Sequence, residues 1–122
     1  MKSADEVVRR YVSEVYDRRN AEAIAELVAD PTVRHEPGGE TQVLTIADSM
    51  ARAVRFQREY SAMRFDDVVY IANDNAVCFV FDAVLKRADG TEVTLCGAEI
   101  FRVTNGKITE VWNPAPSSGL WG

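Results

Sequence analysis

The chain has 122 residues, 47% hydrophobic and 27% charged, with a net charge of −5. That length fits one domain over residues 1–122, able to bury a core without disulfides or metal. The acidic balance, with its cations dispersed along the chain, excludes the footprint of a nucleic-acid binder, and no apolar run approaches the roughly 18 residues that span a bilayer.

Ser3 followed by Glu6 reads as a capping box opening a first helix. Val7, Val8, Tyr11, Val12, Val15 and Tyr16 recur on it as one apolar stripe. The opening stretch Met1-Lys2-Ser3-Ala4-Asp5-Glu6 is acidic and has no apolar signal core, so a cytoplasmic protein is the default expectation. Asp17-Arg18-Arg19 ends this helix. Asn20 caps a second, buried through Ala21, Ile24, Leu27 and Val28, and Asp30-Pro31 stops it. Residues 32–36 form a short strand closed by Pro37-Gly38-Gly39. Thr45 caps a third helix carrying Ile46, Met50, Ala53, Val54 and Phe56. Strands follow at 63–71, 76–85, 91–103 and 107–113, with Asp89-Gly90 as a strong hairpin signal. The tail from Pro114 is too rich in Pro and Gly for another strand, although Leu120 and Trp121 suggest that it packs onto the pocket mouth or a second subunit. Helices grouped before strands give an α+β class: three helices on a curved, mostly antiparallel sheet, a cone with a pocket between them.

Strand alternation assigns the chemistry. Leu95, Gly97, Glu99 and Phe101 share one face, which places a carboxyl among apolar neighbours. Burial of that kind raises a carboxyl pKa. The alternative is an exposed face, or a Glu99 paired with an arginine. Before Pro37, Glu36 and His35 point opposite ways. With Glu36 inward, Arg34 shares its face and holds it ionised; a shift of one residue brings in His35 as the base instead. Asp82 shares a face with Glu99 if the Asp89-Gly90 loop has two residues, and faces outward if it has three. Tyr11 lines the pocket or the core, whereas Tyr16 reads as core or edge. With one histidine and no ligand spacing around it, no metal site is predicted. No phosphate loop or nucleophile elbow occurs, and no cofactor is expected. Cys78 and Cys96 lie in strands without facing each other, so no disulfide is expected.

The stretches Val7-Val8-Arg9-Arg10-Tyr11-Val12, Leu27-Val28-Ala29-Asp30, Glu36-Pro37-Gly38-Gly39 and Glu99-Ile100-Phe101-Arg102-Val103, the last leading to Gly106-Lys107-Ile108, carry a resemblance. The chain resembles the NTF2-like superfamily in its SnoaL-like polyketide cyclase and ketosteroid isomerase branch, over nearly its whole length. That resemblance implies the cone fold, and the positions that match the isomerase apparatus are Tyr11 as oxyanion-binding tyrosine, Glu36 as base and Glu99 as a protonated carboxylic acid. The chain carries Glu where that family carries Asp at both positions. Asn113 stands where SnoaL-like cyclases place an acid, and Val80 stands where limonene-type epoxide hydrolases place the arginine two before their aspartate.

These readings converge on a cofactor-independent enzyme of isomerase, cyclase or dehydratase type acting on an apolar, carbonyl- or hydroxyl-bearing small molecule. Glu36 or His35 moves a proton, and Tyr11 and neutral Glu99 donate to the developing oxyanion. His35, Asp82, Phe101 and Asn113 line the substrate. The alternatives are a ligand-binding or dimerisation module without turnover, and an epoxide hydrolase-like enzyme. Ile100, Ile108 and Trp112 on the outer sheet face point to a homodimer.

Overall fold

The computed structural model of the protein describes residues 2–122. Its elements are α1 (Ala4–Tyr11), a π-helical turn (Val12–Asp17), a 3-10 turn (Ala21–Ala23), α2 (Ile24–Leu27), β1 (Val28–Glu36), β2 (Glu40–Leu44), α3 (Ile46–Glu59), β3 (Tyr60–Ala72), β4 (Ala76–Arg87), β5 (Glu92–Thr104), β6 (Lys107–Trp112) and β7 (Ser117–Ser118). The seven strands form one curved sheet in the order β2-β1-β6-β5-β4-β3, with β7 pairing β5. The β1–β6 contact is parallel and the other pairs are antiparallel. The helices cover one face, so this is the α+β cone expected from the order of elements.

Local chemistry accounts for the ends. Ser3 Oγ accepts from the Glu6 amide at 3.2 Å and caps α1. Thr45 and Asp48 exchange side-chain and backbone bonds, both 3.1 Å, across the first turn of α3. The far end of α3 is held by Arg19, whose guanidinium donates to the Tyr60 and Gln57 carbonyls, a cation placed where a helix leaves its carbonyls unpaired. Asn20 does not cap as its type suggests: its amide donates to Glu14 Oε2 instead.

The largest shifts in boundary lie around the second helix. The second helix ends at Leu27, and the chain is already extended through the cis Asp30–Pro31 bond, so β1 starts at Val28 rather than at residue 32. Residues 40–44 return as β2, a partner that the glycine turn makes possible. The tail does contribute a strand: Ser117 and Ser118 pair with Cys96 and Leu95. A ladder needs backbone amides, and at these two positions neither Pro nor Gly intervenes.

The core lies between α1 and the concave face. Val7, Val8, Val15, Ile24 and Leu27 from the helices meet Val77, Leu85, Phe101, Ile108 and Val111 from the sheet, all nearly inaccessible. Ile108, expected on the outer face beside Ile100 and Trp112, faces inward instead, because the β5–β6 register shifts between Arg102 and Val103. Such side chains contribute about 1.5–3 kcal/mol each on burial.

Candidate functional site

The concave face carries a cavity in two lobes that share Tyr16 and Arg52. The larger lobe, about 160 Å³, is walled by Phe56, Phe65, Phe81, Ala83, Leu85 and Leu95, with Glu99, Asn113 and Pro116 among its lining. The smaller, about 20 Å³, is lined by Tyr11, Thr32, Arg34, Ser49 and apolar neighbours.

Glu99 enters this cavity because β5 alternates. Phe101 on the same face is wholly buried and Leu95 reaches the larger lobe. Glu99 is 4% exposed, and Arg34, 4% exposed on β1, approaches it at 3.8 Å. That separation is an ion pair but too long for a hydrogen bond, and Glu99 Oε2 and Arg34 Nε remain buried without partners. Burial pushes the Glu99 carboxyl above its ordinary value; the positive charges of Arg34 and Arg52 oppose this and are outweighed. Asn113, in the amide orientation that satisfies both its groups, accepts from Arg34 Nη2 at 3.0 Å and donates to the Pro114 carbonyl at 3.1 Å. Its backbone amide donates to the His35 carbonyl, which anchors the strand exit beside the cavity.

Tyr16 reaches the cavity through the π-helical turn. In a regular α-helix a residue five after Tyr11 would sit about 140° around the axis from it. Here the Arg18 amide bonds the Ser13 carbonyl, a five-residue step, and the widened turn brings the Tyr16 ring edge-on to Tyr11 at 5.6 Å. Burial, then the neighbouring Tyr11 and Glu99, push the Tyr16 hydroxyl well above its usual value, so it stays a neutral donor.

The remaining predicted residues are elsewhere. Phe101 is core: it packs edge-on against Tyr11 at 6.0 Å and lines neither lobe. His35 lies on the opposite side of β1, stacked on Trp112 and bonded through Nε2 to Glu110 at 2.6 Å. Glu36 shares Arg34's side by alternation but sits at the strand end, in a separate groove with Pro37, Trp112 and Pro114; Asn113 lines both that groove and the cavity. Arg34 therefore serves Glu99, not Glu36, as its near carboxylate. Asp82 points away from the cavity. The hairpin connection has three residues between Arg87 and Thr91, so Asp82 pairs with Cys96, and Phe81 instead meets Gly97. The Asp82 carboxylate accepts from the Trp121 amide at 2.9 Å and holds the tail. Arg52 and Ser49 escaped the sequence reading, and Tyr16, read as core or edge, lines both lobes. Ser49 and Arg52 interrupt the apolar side of α3 three residues apart, and that interruption was the available signal.

A sequence profile of the SnoaL-like domain matches residues 8–111. The chain belongs to the SnoaL-like domain family. No curated protein matches it. Among solved structures, this SnoaL-like chain is similar to a candidate polyketide cyclase from Acidithiobacillus ferrooxidans, at 22% identity and TM-score 0.79 over 92% of this chain and 87% of that one. It is similar to a SnoaL-like polyketide cyclase from Agrobacterium tumefaciens, at 12% identity and TM-score 0.78 over 96% and 93%. It is also similar to an epoxide hydrolase of limonene epoxide hydrolase-like type from M. tuberculosis, at 15% identity and TM-score 0.73 over 89% and 79%. At these identities the likeness is one of fold, and chemistry has to be argued from the cavity.

Proposed function

We propose that this SnoaL-like protein is a cofactor-independent enzyme of isomerase, cyclase or dehydratase type, with Glu99 as the group that moves the proton. The observation that carries this is Glu99 itself: a carboxyl 4% exposed, opening into an apolar cavity, with Oε2 unpartnered and a guanidinium at 3.8 Å. Burial favours the protonated form, and Arg34 stabilises the carboxylate once the proton leaves; both states are thereby accessible, as general acid–base work needs. Tyr11 and Tyr16 donate hydrogen bonds to an oxygen that becomes negative in the transition state. Asn113 holds Arg34 in place through its amide oxygen. The proton-moving role expected of Glu36 passes to Glu99, since Glu36 opens into the neighbouring groove.

Deuterium uptake α to the carbonyl of small cyclic ketones in D2O, followed by NMR, tests the reading without a known product. The wild type accelerates uptake, and Glu99→Gln slows it about 100-fold or more, because an amide keeps the shape but cannot exchange the proton. A Glu99→Gln protein that keeps the rate would make Glu99 a hydrogen-bond donor at most and sink the proposal. The second reading is a binding module without turnover. It is favoured by Glu36 lying outside the cavity and by an amide at Asn113, and it predicts no uptake above buffer in the wild type.

We also assign the outer sheet face to a homodimer. Ile71, Cys78, Ile100 and Trp112 stand in one cross-strand row over β3, β4, β5 and β6, beside a second row of Val69, Val80 and Ala98. Ile71 is 63% exposed and Trp121 55%. An apolar patch of that continuity is a surface for a second copy. The free, half-buried Cys78 and Cys96 suit a reducing cytoplasm.

A further inference from the structure

The cavity's charges do not balance. Arg34 is matched by Glu99 at 3.8 Å, but Arg52, which lines both lobes, has no carboxylate within 4.0 Å among the described residues. Whether Glu99 is ionised or protonated, the cavity is positive. The donors are also in surplus. Ser49 Oγ and Arg34 Nε are buried without partners, and both residues line the small lobe that Arg52 and Tyr11 share. Its volume of about 20 Å³ admits a group the size of one or two oxygens. The adjoining lobe is apolar and about 160 Å³, while a dry apolar cavity of about 150 Å³ takes one benzene ring.

We propose that the ligand of this cavity is a single-ring carboxylic acid. Its carboxylate lies in the small lobe against Arg52, Ser49 and Arg34, and its ring lies in the large lobe beside Glu99. This rests on the reading of the cavity as the substrate site. A bound anion neutralises Arg52, weakens the positive field on Glu99 and favours its protonated form, so ligand binding itself arms the acid. The large lobe as it stands has no room for a four-ring body.

Isothermal titration of the intact protein with benzoate, methyl benzoate and testosterone tests it, and no turnover is involved. Benzoate binds about tenfold or more tighter than its ester, as expected for hydrogen bonds to charged donors. Arg52→Met removes that preference, weakening benzoate about tenfold more than the ester. Arg52→Lys, which keeps the charge, retains the preference and covers a Met variant that fails to fold. Equal affinity for acid and ester, a preference that survives in Arg52→Met, tighter binding of testosterone, or no binding of benzoate overturns the assignment. Benzoate selectivity in a protein without Glu99-dependent deuterium uptake leaves this inference standing and removes the catalytic one.

Discussion

Gly97 lies against Phe81, a residue of the cavity wall, with no room for one added carbon. A Cβ built there would lie 2.9 Å from Phe81 Cζ and 3.3 Å from Cε2. Phe81 is nearly inaccessible and held by Phe65 at 5.1 Å and Phe79 at 5.2 Å, so its ring has little freedom except toward the cavity. Overpacking of this kind costs about 1–3 kcal/mol. Alanine recovers about 0.5–1 kcal/mol over glycine in regular structure. The expected net loss for Gly97→Ala is therefore about 1–2 kcal/mol, or roughly 4–8 °C in Tm for a chain of this size. In a Phe81→Leu background the ring end is gone, and the same substitution becomes stabilising by about 0.5–1 kcal/mol. Urea denaturation of the four proteins gives the coupling directly, expected at about 1–3 kcal/mol. An effect of the same sign and size in both backgrounds would refute the claim that Phe81 is why position 97 is glycine.

Three other expectations follow from the structure. Glu99 has a folded-state pKa raised chiefly by burial, so its stabilising contribution is complete below the unfolded value of about 4.3 and is lost as pH rises through the folded value. Glu99→Gln should remove that limb from denaturation midpoints measured from about pH 4 to 8, and parallel profiles for the two proteins would contradict the shift. Asp82→Ala removes the acceptor for the Trp121 amide, and hydrogen exchange across residues 117–121 should quicken while the α3 amides do not change; unchanged exchange at Trp121 would show that the tail is held by other contacts. Ile100→Glu places a charge in the outer apolar row opposite Cys78 and Trp112, and sedimentation velocity should show a dimer in the native protein and a monomer in the variant; a native monomer would remove the dimer assignment.

The parts of the fold visible in the sequence were those fixed by short-range chemistry. The Thr45 cap, the place of the Asp89-Gly90 turn and the alternation through Leu95, Glu99 and Phe101 are each written within a few residues. Asp82 shows the limit. Its side of the sheet depended on whether the hairpin loop held two residues or three, and a change of one reverses every side chain on the strand. The β7 pairing was hidden because a backbone ladder leaves little trace in side-chain pattern. Arg52 was hidden for another reason: a charge on a helix reads as solvated surface, and only the third dimension shows that α3 lays this one over a cavity. Glu36 kept the expected alternation but lay two residues past Arg34, where the strand has already left the cavity wall.

The widened turn between Tyr11 and Tyr16 makes spacing, rather than residue identity, the quantity to preserve there. A relative whose first helix is regular would present the matching hydroxyl four residues after its counterpart of Tyr11, not five, because four residues return to nearly the same side of an α-helix. An ungapped alignment would then set Tyr16 against a solvent position and score the second tyrosine as missing. Deleting one residue from 12–15 would bring the second tyrosine to that four-residue spacing, so that a regular helix presents the same two hydroxyls without the widened turn.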